Sequence, residues 1–374
     1  MAGFRELIEN RHNYAKDWKA KTGGKILGYF CTYVPEELVY AAGMLPVRII
    51  GSHESKTRTE RHIASMYCAF CRDCLAQGLK GRYSYLDGIV KARSCQHMRQ
   101  AFASWQVHIP IEYSYYISMP ALIQSPSAKP FLVQELLRFK SSLEEWTGKP
   151  ISDEALKQAI EVYNLNRRLL RQVYELRKNA EPPLSGAEAL EMTLSSQLID
   201  KAEHNRLLSE ALAGLCRKNE RLDAGARLML IGSENDDIDY IKSIESLGCN
   251  IVIDETCTGS RYFWNECSLD ADPLEAIARR YIERPPCPAK DLPENRRLPH
   301  ILSMIKDYGV EGVIVSLQKF CQNHETALPA LQSMLQEEGI PVLVLEYAFT
   351  APAGWLQIRV EAFLEMIRSE SLWV

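Results

Sequence analysis

The sequence predicts an α/β protein built from two similar, doubly wound, parallel-sheet domains with a helical insertion between them. Three observations carry this. Short apolar runs alternate with helical segments, as in parallel sheets covered by helices. The pattern occurs twice, in the same order. A helix-periodic stretch separates the two copies. The chain has 374 residues, more than one hydrophobic core usually serves.

In order, the first copy runs KILGYFC (25–31), PEELVYAAG (35–43) and PVRII (46–50). YLDGIVKARSC (85–95), QHMRQAFASW and VHIPIEYSYY (107–116) follow. The second copy runs RLMLIGS (227–233), DIDYIKSIESLG (237–248) and NIVIDETC (250–257). It continues with GVEGVIVSLQKFC (309–321), ETALPALQSMLQEEG and IPVLVLEYAF (340–349). Each opens with a strand and then a helix closing at a glycine, Gly43 or Gly248, which suits a left-handed C-cap. Each later has an acidic-Gly pair leading a strand, then Cys-Gln (Cys95-Gln96, Cys321-Gln322), then a strand read as ending in Glu-Tyr (Glu112-Tyr113, Glu346-Tyr347). Between the copies, Leu156, Ile160, Tyr163, Leu170 and Val173 recur at helical spacing, a stripe read as core packing. Ser152 or Asp153 can cap that helix, and Glu181-Pro182-Pro183 stops it. The expected domains are 1–127 with an N-terminal helix, 128–222 for the helical insertion, and 223–374.

Composition narrows the function. Hydrophobic residues make up 46% and charged residues 25%, with net charge −4 and no long basic run, which argues against nucleic-acid binding. No run of about 18 apolar residues predicts a membrane span, and the N-terminus lacks a signal peptide's apolar core. A cytoplasmic protein is expected. Its eleven cysteines are then metal ligands, redox groups or, like Cys216 and Cys249, small buried hydrophobes rather than disulfides.

In open parallel sheets ligands bind beyond the carboxyl ends of the strands. Cys95 and Cys321 fall there, one per copy, each before a helix start that favours a thiolate. If the domains face each other, both point into one cleft, and a third thiol would complete a three-thiolate corner. Two cysteines after two strands could also be chance. The run MYCAFCRDC (66–74) holds Cys68, Cys71 and Cys74. His62 and Cys95 do not give it a zinc-knuckle spacing, and no fourth Cys-Pro follows as in bacterial ferredoxins. If 69–76 is helical, Cys68 and Cys71 share a face with Leu75, and Cys71 and Cys74 are partly buried neighbours rather than ligands. His97 and His324 follow the repeat cysteines, either as proton relays or bonded to loop backbone. No P-loop, G-x-G-x-x-G or G-x-S-x-G is present.

GYFCTYVPEELVYAAGMLPVRIIG, YCAFCRD, LDGIVKARSCQHMR, GVEGVIVSLQKFC, GIPVLVLE and RVEAFLE together resemble the 2-hydroxyacyl-CoA dehydratase and benzoyl-CoA reductase subunit family. YCAFCRDCLAQGL looks most like the smaller cluster-carrying subunit of ATP-dependent benzoyl-CoA reductases. The resemblance covers nearly the whole chain. It implies two flavodoxin-like domains and one [4Fe–4S] cluster held by Cys68, Cys95 and Cys321, with the fourth iron open; Cys71 and Cys74 depart from the family pattern. It implies low-potential single-electron transfer to an aromatic acyl-CoA, through a ketyl-type radical, giving a cyclic dienoyl-CoA. A sibling subunit, a separate iron–sulfur ATPase and reduced ferredoxin are the implied partners. A radical 2-hydroxyacyl-CoA dehydratase subunit, a non-catalytic electron-relay subunit and a zinc-binding structural protein are the alternatives. Tyr33, in the loop Cys31–Pro35, and Arg72 are candidate substrate-binding residues; the competing reading has Tyr33 packing the loop and Arg72 pairing with a carboxylate.

Overall fold

The computed structural model describes residues 3–54, 59–217, 221–223, 225–291 and 294–370. The first half forms β1 (Ile26–Tyr29), β2 (Leu45–Arg48), β3 (Gly88–Ala92) and β4 (Tyr113–Ile117). The second half forms β5 (Ala226–Gly232), β6 (Cys249–Glu255), β7 (Gly312–Gln318) and β8 (Val342–Tyr347). Each set makes one four-stranded sheet, in the orders β2-β1-β3-β4 and β6-β5-β7-β8. All pairings are parallel. The two orders are the same permutation, so the repeat in the sequence is a repeat in topology. In each, the chain winds one way from the first strand and then the other, placing a switch point between β1 and β3 and between β5 and β7. The inner strands β3 and β7 are buried along their whole length, which is why they read as continuous apolar runs.

Gly43 and Gly248 take left-handed φ values of 74° and 88° directly after the helices Glu36–Ala41 and Ile238–Glu245. Ser152 caps the helix Asp153–Glu175, its side chain accepting from the Ala155 N–H at 3.1 Å. That helix is ~35 Å long. Leu156 and Ile160 pack with Leu27, Tyr29 and Val90 of the first sheet, while Leu170 and Val173 pack with Met229 and Val313 of the second. It is a strut joining the two cores.

The halves also exchange elements. Phe4 and Ile8 of the N-terminal helix Phe4–Glu9 pack into the cores of the second sheet. Ala276, Ile277 and Tyr281 of the helix Pro273–Glu283 pack into the core of the first. This interlocking fixes the space between the sheets.

One register differs from the sequence reading. The segment expected as a strand over 107–116 is helical through His108, because Phe102 and Trp105 keep a helical face buried while Val107 is 75% exposed. Pro110 stops that helix, and β4 begins at Tyr113. Glu112-Tyr113 therefore opens its strand, whereas Glu346-Tyr347 closes β8; the two pairs are not equivalent.

A polar clamp also ties the halves. His53, in a left-handed conformation at φ 61°, sets Nε2 3.2 Å from Asp236 Oδ1, with its other nitrogen 3.2 Å from the Phe349 carbonyl oxygen. Burial opposes the imidazolium, but Asp236 and Asp237 outweigh it and raise the His53 pKa to about 10. Because that value lies above the unfolded one, the pair's contribution is full below pH ~6.5 and is lost as the pH rises through about 10. Urea midpoints at pH 6 and pH 10 should converge between the wild type and His53→Ala as pH rises. An equal gap at both values would exclude the ion pair. Among the described residues no helix is long and apolar enough to cross a membrane.

Candidate metal centre

Beyond the carboxyl ends of both sheets lies one cavity, of about 60 Å³. Six cysteines line it: Cys31, Cys68, Cys95, Cys257, Cys287 and Cys321. Their placement follows from the strands. Cys31 follows β1, Cys95 follows β3, Cys257 follows β6 and Cys321 follows β7.

Cys68, Cys95 and Cys321 share a second feature. Each is the N-cap of a helix: Ala69–Leu79, Gln96–His108 and Gln322–Glu337. The first amides of a helix have no intrahelical acceptor and carry partial positive charge. Three such helix starts meet at this cavity. The Cys95 Sγ accepts from the Met98 N–H at 3.4 Å. The loop before Cys68 is pinned to the Cys95 helix, since the Cys68 N–H donates to His97 Nδ1 at 3.0 Å. His97 is thus bonded to loop backbone. His324, at the cavity wall, is held neutral by burial.

The thiols differ in acidity. The Cys71 thiol hydrogen bond, with help from His97, brings the Cys68 pKa down to about 5 against the effect of burial. Burial pushes Cys95 up to about 12 and Cys321 well up. A metal would change this, because a coordinating thiol is deprotonated outright. Cys71 and Cys74 are fully buried and outside the cavity lining; their thiols donate to the Cys68 carbonyl oxygen at 3.1 Å and to the Ile49 carbonyl oxygen at 3.6 Å.

Among the described residues no three His, Cys, Asp or Glu side chains stand close enough to hold a single metal ion. The thiols instead surround a cavity. That is the arrangement a multi-iron cluster needs, with each thiolate on its own iron, and the donor set fits iron–sulfur binding.

Neither Tyr33 nor Arg72 lines the cavity. Tyr33 is buried, its hydroxyl accepting from the Cys287 N–H at 3.2 Å, with the Arg284 guanidinium 4.6 Å from its ring. It holds the Cys287 loop. Arg72 lies over the Phe349 ring at 5.1 Å, and its Nε is buried without a hydrogen-bond partner.

The sequence reading did not single out Cys257, Cys287 or Glu234. Glu234 follows β5, and its carboxylate meets Arg48 Nη2 at 2.5 Å. Burial raises its pKa against that guanidinium. The carboxyl-end rule that pointed to Cys95 also covers Cys257 and Glu234. Gly232 allows this approach, since a Cβ there would lie 1.9 Å from the Ser316 carbonyl oxygen.

Two parallel sheets of an α/β protein thus present helix-capping thiols to a shared cavity. The profile of the 2-hydroxyglutaryl-CoA dehydratase D-component family matches residues 31–367, and the chain belongs to that family. A benzoyl-CoA reductase subunit of Thauera aromatica is 28% identical, over 89% of this chain and 88% of the relative. The (R)-phenyllactyl-CoA dehydratase beta subunit of Clostridium sporogenes is 25% identical, over 92% and 91%. The (R)-2-hydroxyglutaryl-CoA dehydratase beta subunit of Acidaminococcus fermentans is 29% identical, over 97% and 98%.

Proposed function

We propose that this chain is the [4Fe–4S]-carrying subunit of a cytoplasmic, ATP-dependent aromatic acyl-CoA reductase of the benzoyl-CoA type, yielding a cyclic dienoyl-CoA. The observation that carries the reading is the convergence of Cys68, Cys95 and Cys321, from three distant parts of the chain, on one cavity at three helix starts. These three thiolates would hold the cluster. When bound, such a cluster supplies single electrons at a potential set by charge, hydrogen bonds and burial. The chain's own residues set those terms. Helix-start amides favour negative charge at the cavity. Phe30, Phe70 and Met98 give it apolar walls that limit water. His97 fixes the Cys68 backbone.

The sequence has no nucleotide-binding loop, so the ATP is spent on a partner, a separate iron–sulfur ATPase fed by reduced ferredoxin. A sibling subunit shares the acyl-CoA site. The purified single chain is expected to show neither ATPase activity nor acyl-CoA turnover, and both should appear only in the assembled complex. ATP hydrolysis by the chain alone would refute this division of labour.

A dehydratase subunit is the second reading, favoured by the family's description and by two of the three relatives named above. ATP consumption separates the two. A reductase consumes ATP with every turnover, whereas a dehydratase that recycles its electron consumes it only at start-up.

A further inference from the structure

Cys95 and Cys321 stand at matching places of the two copies, and the strand ends that carry them match residue by residue. Lys91 is the next-to-last residue of β3 and Leu317 the next-to-last of β7, each four residues before its cysteine. Each pairs with the next-to-last residue of the neighbouring strand, Lys91 with Tyr116 and Leu317 with Glu346. The same backbone bond closes both. The Arg93 N–H donates to the Ile117 carbonyl oxygen at 2.9 Å, and the Lys319 N–H donates to the Tyr347 carbonyl oxygen at 2.7 Å. Each segment then leads through its cysteine into a helix, at Gln96 and at Gln322.

At this one position the copies differ in kind. Leu317 is 2% exposed and belongs to the core of the second sheet. Lys91 is as deeply buried, at 0% exposed, yet it carries an ammonium. That group donates to the Ala92 carbonyl oxygen at 2.8 Å and to Ser94 Oγ at 3.0 Å, with the Tyr116 ring 5.9 Å away. These partners are neutral, so they hold the ammonium without cancelling its charge. Burying an ammonium is costly. The second copy builds the same strand end with a leucine, so packing does not account for the lysine.

The place of the charge does account for it. Ser94 and Cys95 both line the cavity, and the ammonium lies one hydrogen bond behind that wall. In a low-dielectric interior a fixed charge acts strongly on negative charge gathered nearby. A thiolate at Cys95 is such a charge, and so is an electron added to a group which that thiolate holds. Cluster potentials respond to net charge and to hydrogen bonds around the sulfurs.

We propose that Lys91 is a positioning residue of the metal centre: its buried ammonium favours the reduced form of the cluster held by Cys95 and so raises its reduction potential. The inference rests on the reading of Cys68, Cys95 and Cys321 as the cluster's ligands.

The test is an EPR-monitored redox titration of the full chain, purified without oxygen and reduced with titanium(III) citrate, with iron and sulfide counted on the same samples. Lys91→Met removes the charge and keeps an unbranched side chain. Lys91→Gln removes the charge but keeps an N–H donor for Ala92 and Ser94. Both should retain iron, sulfide and circular dichroism. Both should shift the midpoint to more negative values, by about tenfold in the reduction equilibrium, or about 59 mV for one electron. Lys91→Arg keeps the charge and should stay near the unsubstituted protein. A midpoint in Lys91→Gln equal to that of the unsubstituted chain would overturn the electrostatic role and leave the ligand set standing. Lost iron in Lys91→Gln, with iron present in the unsubstituted chain, would overturn it too, because the lysine would then serve to build the turn. No iron or sulfide in the unsubstituted chain would overturn the ligand reading itself and the role of Lys91 with it. Lys91→Gln decides the matter even where Lys91→Met fails to fold.

Discussion

Replacing Cys321 with alanine is expected to remove about four irons and four sulfides per chain while the circular dichroism of the protein stays the same. Cys321 is the cleanest of the three helix-capping cysteines to test. Its side chain makes no capping hydrogen bond, so alanine leaves the start of the helix Gln322–Glu337 as it was. At Cys95 the same change also removes the sulfur that accepts from Met98, at a cost of about 1 kcal/mol to the helix. Two thiolates grip an iron–sulfur corner poorly, so the loss at Cys321 should be near complete for that cluster. Cys71→Ala is the control. Its thiol donates to the Cys68 carbonyl oxygen from outside the cavity lining, so the iron should stay and stability should fall by about 1 kcal/mol. Undiminished iron in Cys321→Ala, purified without oxygen, would remove Cys321 from the ligand set.

The parts of this structure that were legible in the sequence are those that local chemistry dictates. Gly43 and Gly248 mark the ends of helices because only a left-handed residue closes them there. The apolar runs at β3 and β7 are continuous because both faces are covered. The carboxyl-end rule then led to Cys95 and Cys321. What was illegible depends on how distant segments meet. An amphipathic N-terminal helix does not say which core it joins, and Phe4 joins the second sheet's. Val107, Ile109 and Ile111 alternate like a strand, yet the packing of Phe102 and Trp105 carries the helix through His108, and Pro110 stops it. Cys287 sits in a proline-rich loop with no periodicity. The Tyr33 hydroxyl and the turn Pro288–Lys290 hold that loop, and Cys287 lines the cavity.

Glu255→Gln is expected to destabilise the protein by about 3–5 kcal/mol, seen as a lower urea midpoint with the unfolding slope unchanged. Glu255 ends β6 and is fully buried. Arg297 grips one of its oxygens through Nε at 3.0 Å and Nη2 at 2.6 Å. Arg261 Nη1 stands 3.1 Å from the other. Two buried guanidinium groups thus share one carboxylate, and glutamine keeps the shape while removing the only negative charge in the triad. The loss exceeds that of a surface ion pair because neither arginine can reach water. It also reaches the cavity. Arg261 bonds the Gly232 carbonyl oxygen at 3.0 Å and the Cys257 sulfur at 3.2 Å, so a displaced Arg261 frees that thiol. Glu255→Gln combined with Arg297→Met should recover part of the stability, since it removes one of the two uncompensated charges. Equal urea midpoints for Glu255→Gln and the wild type would show that the triad contributes nothing to holding β6 against the cavity.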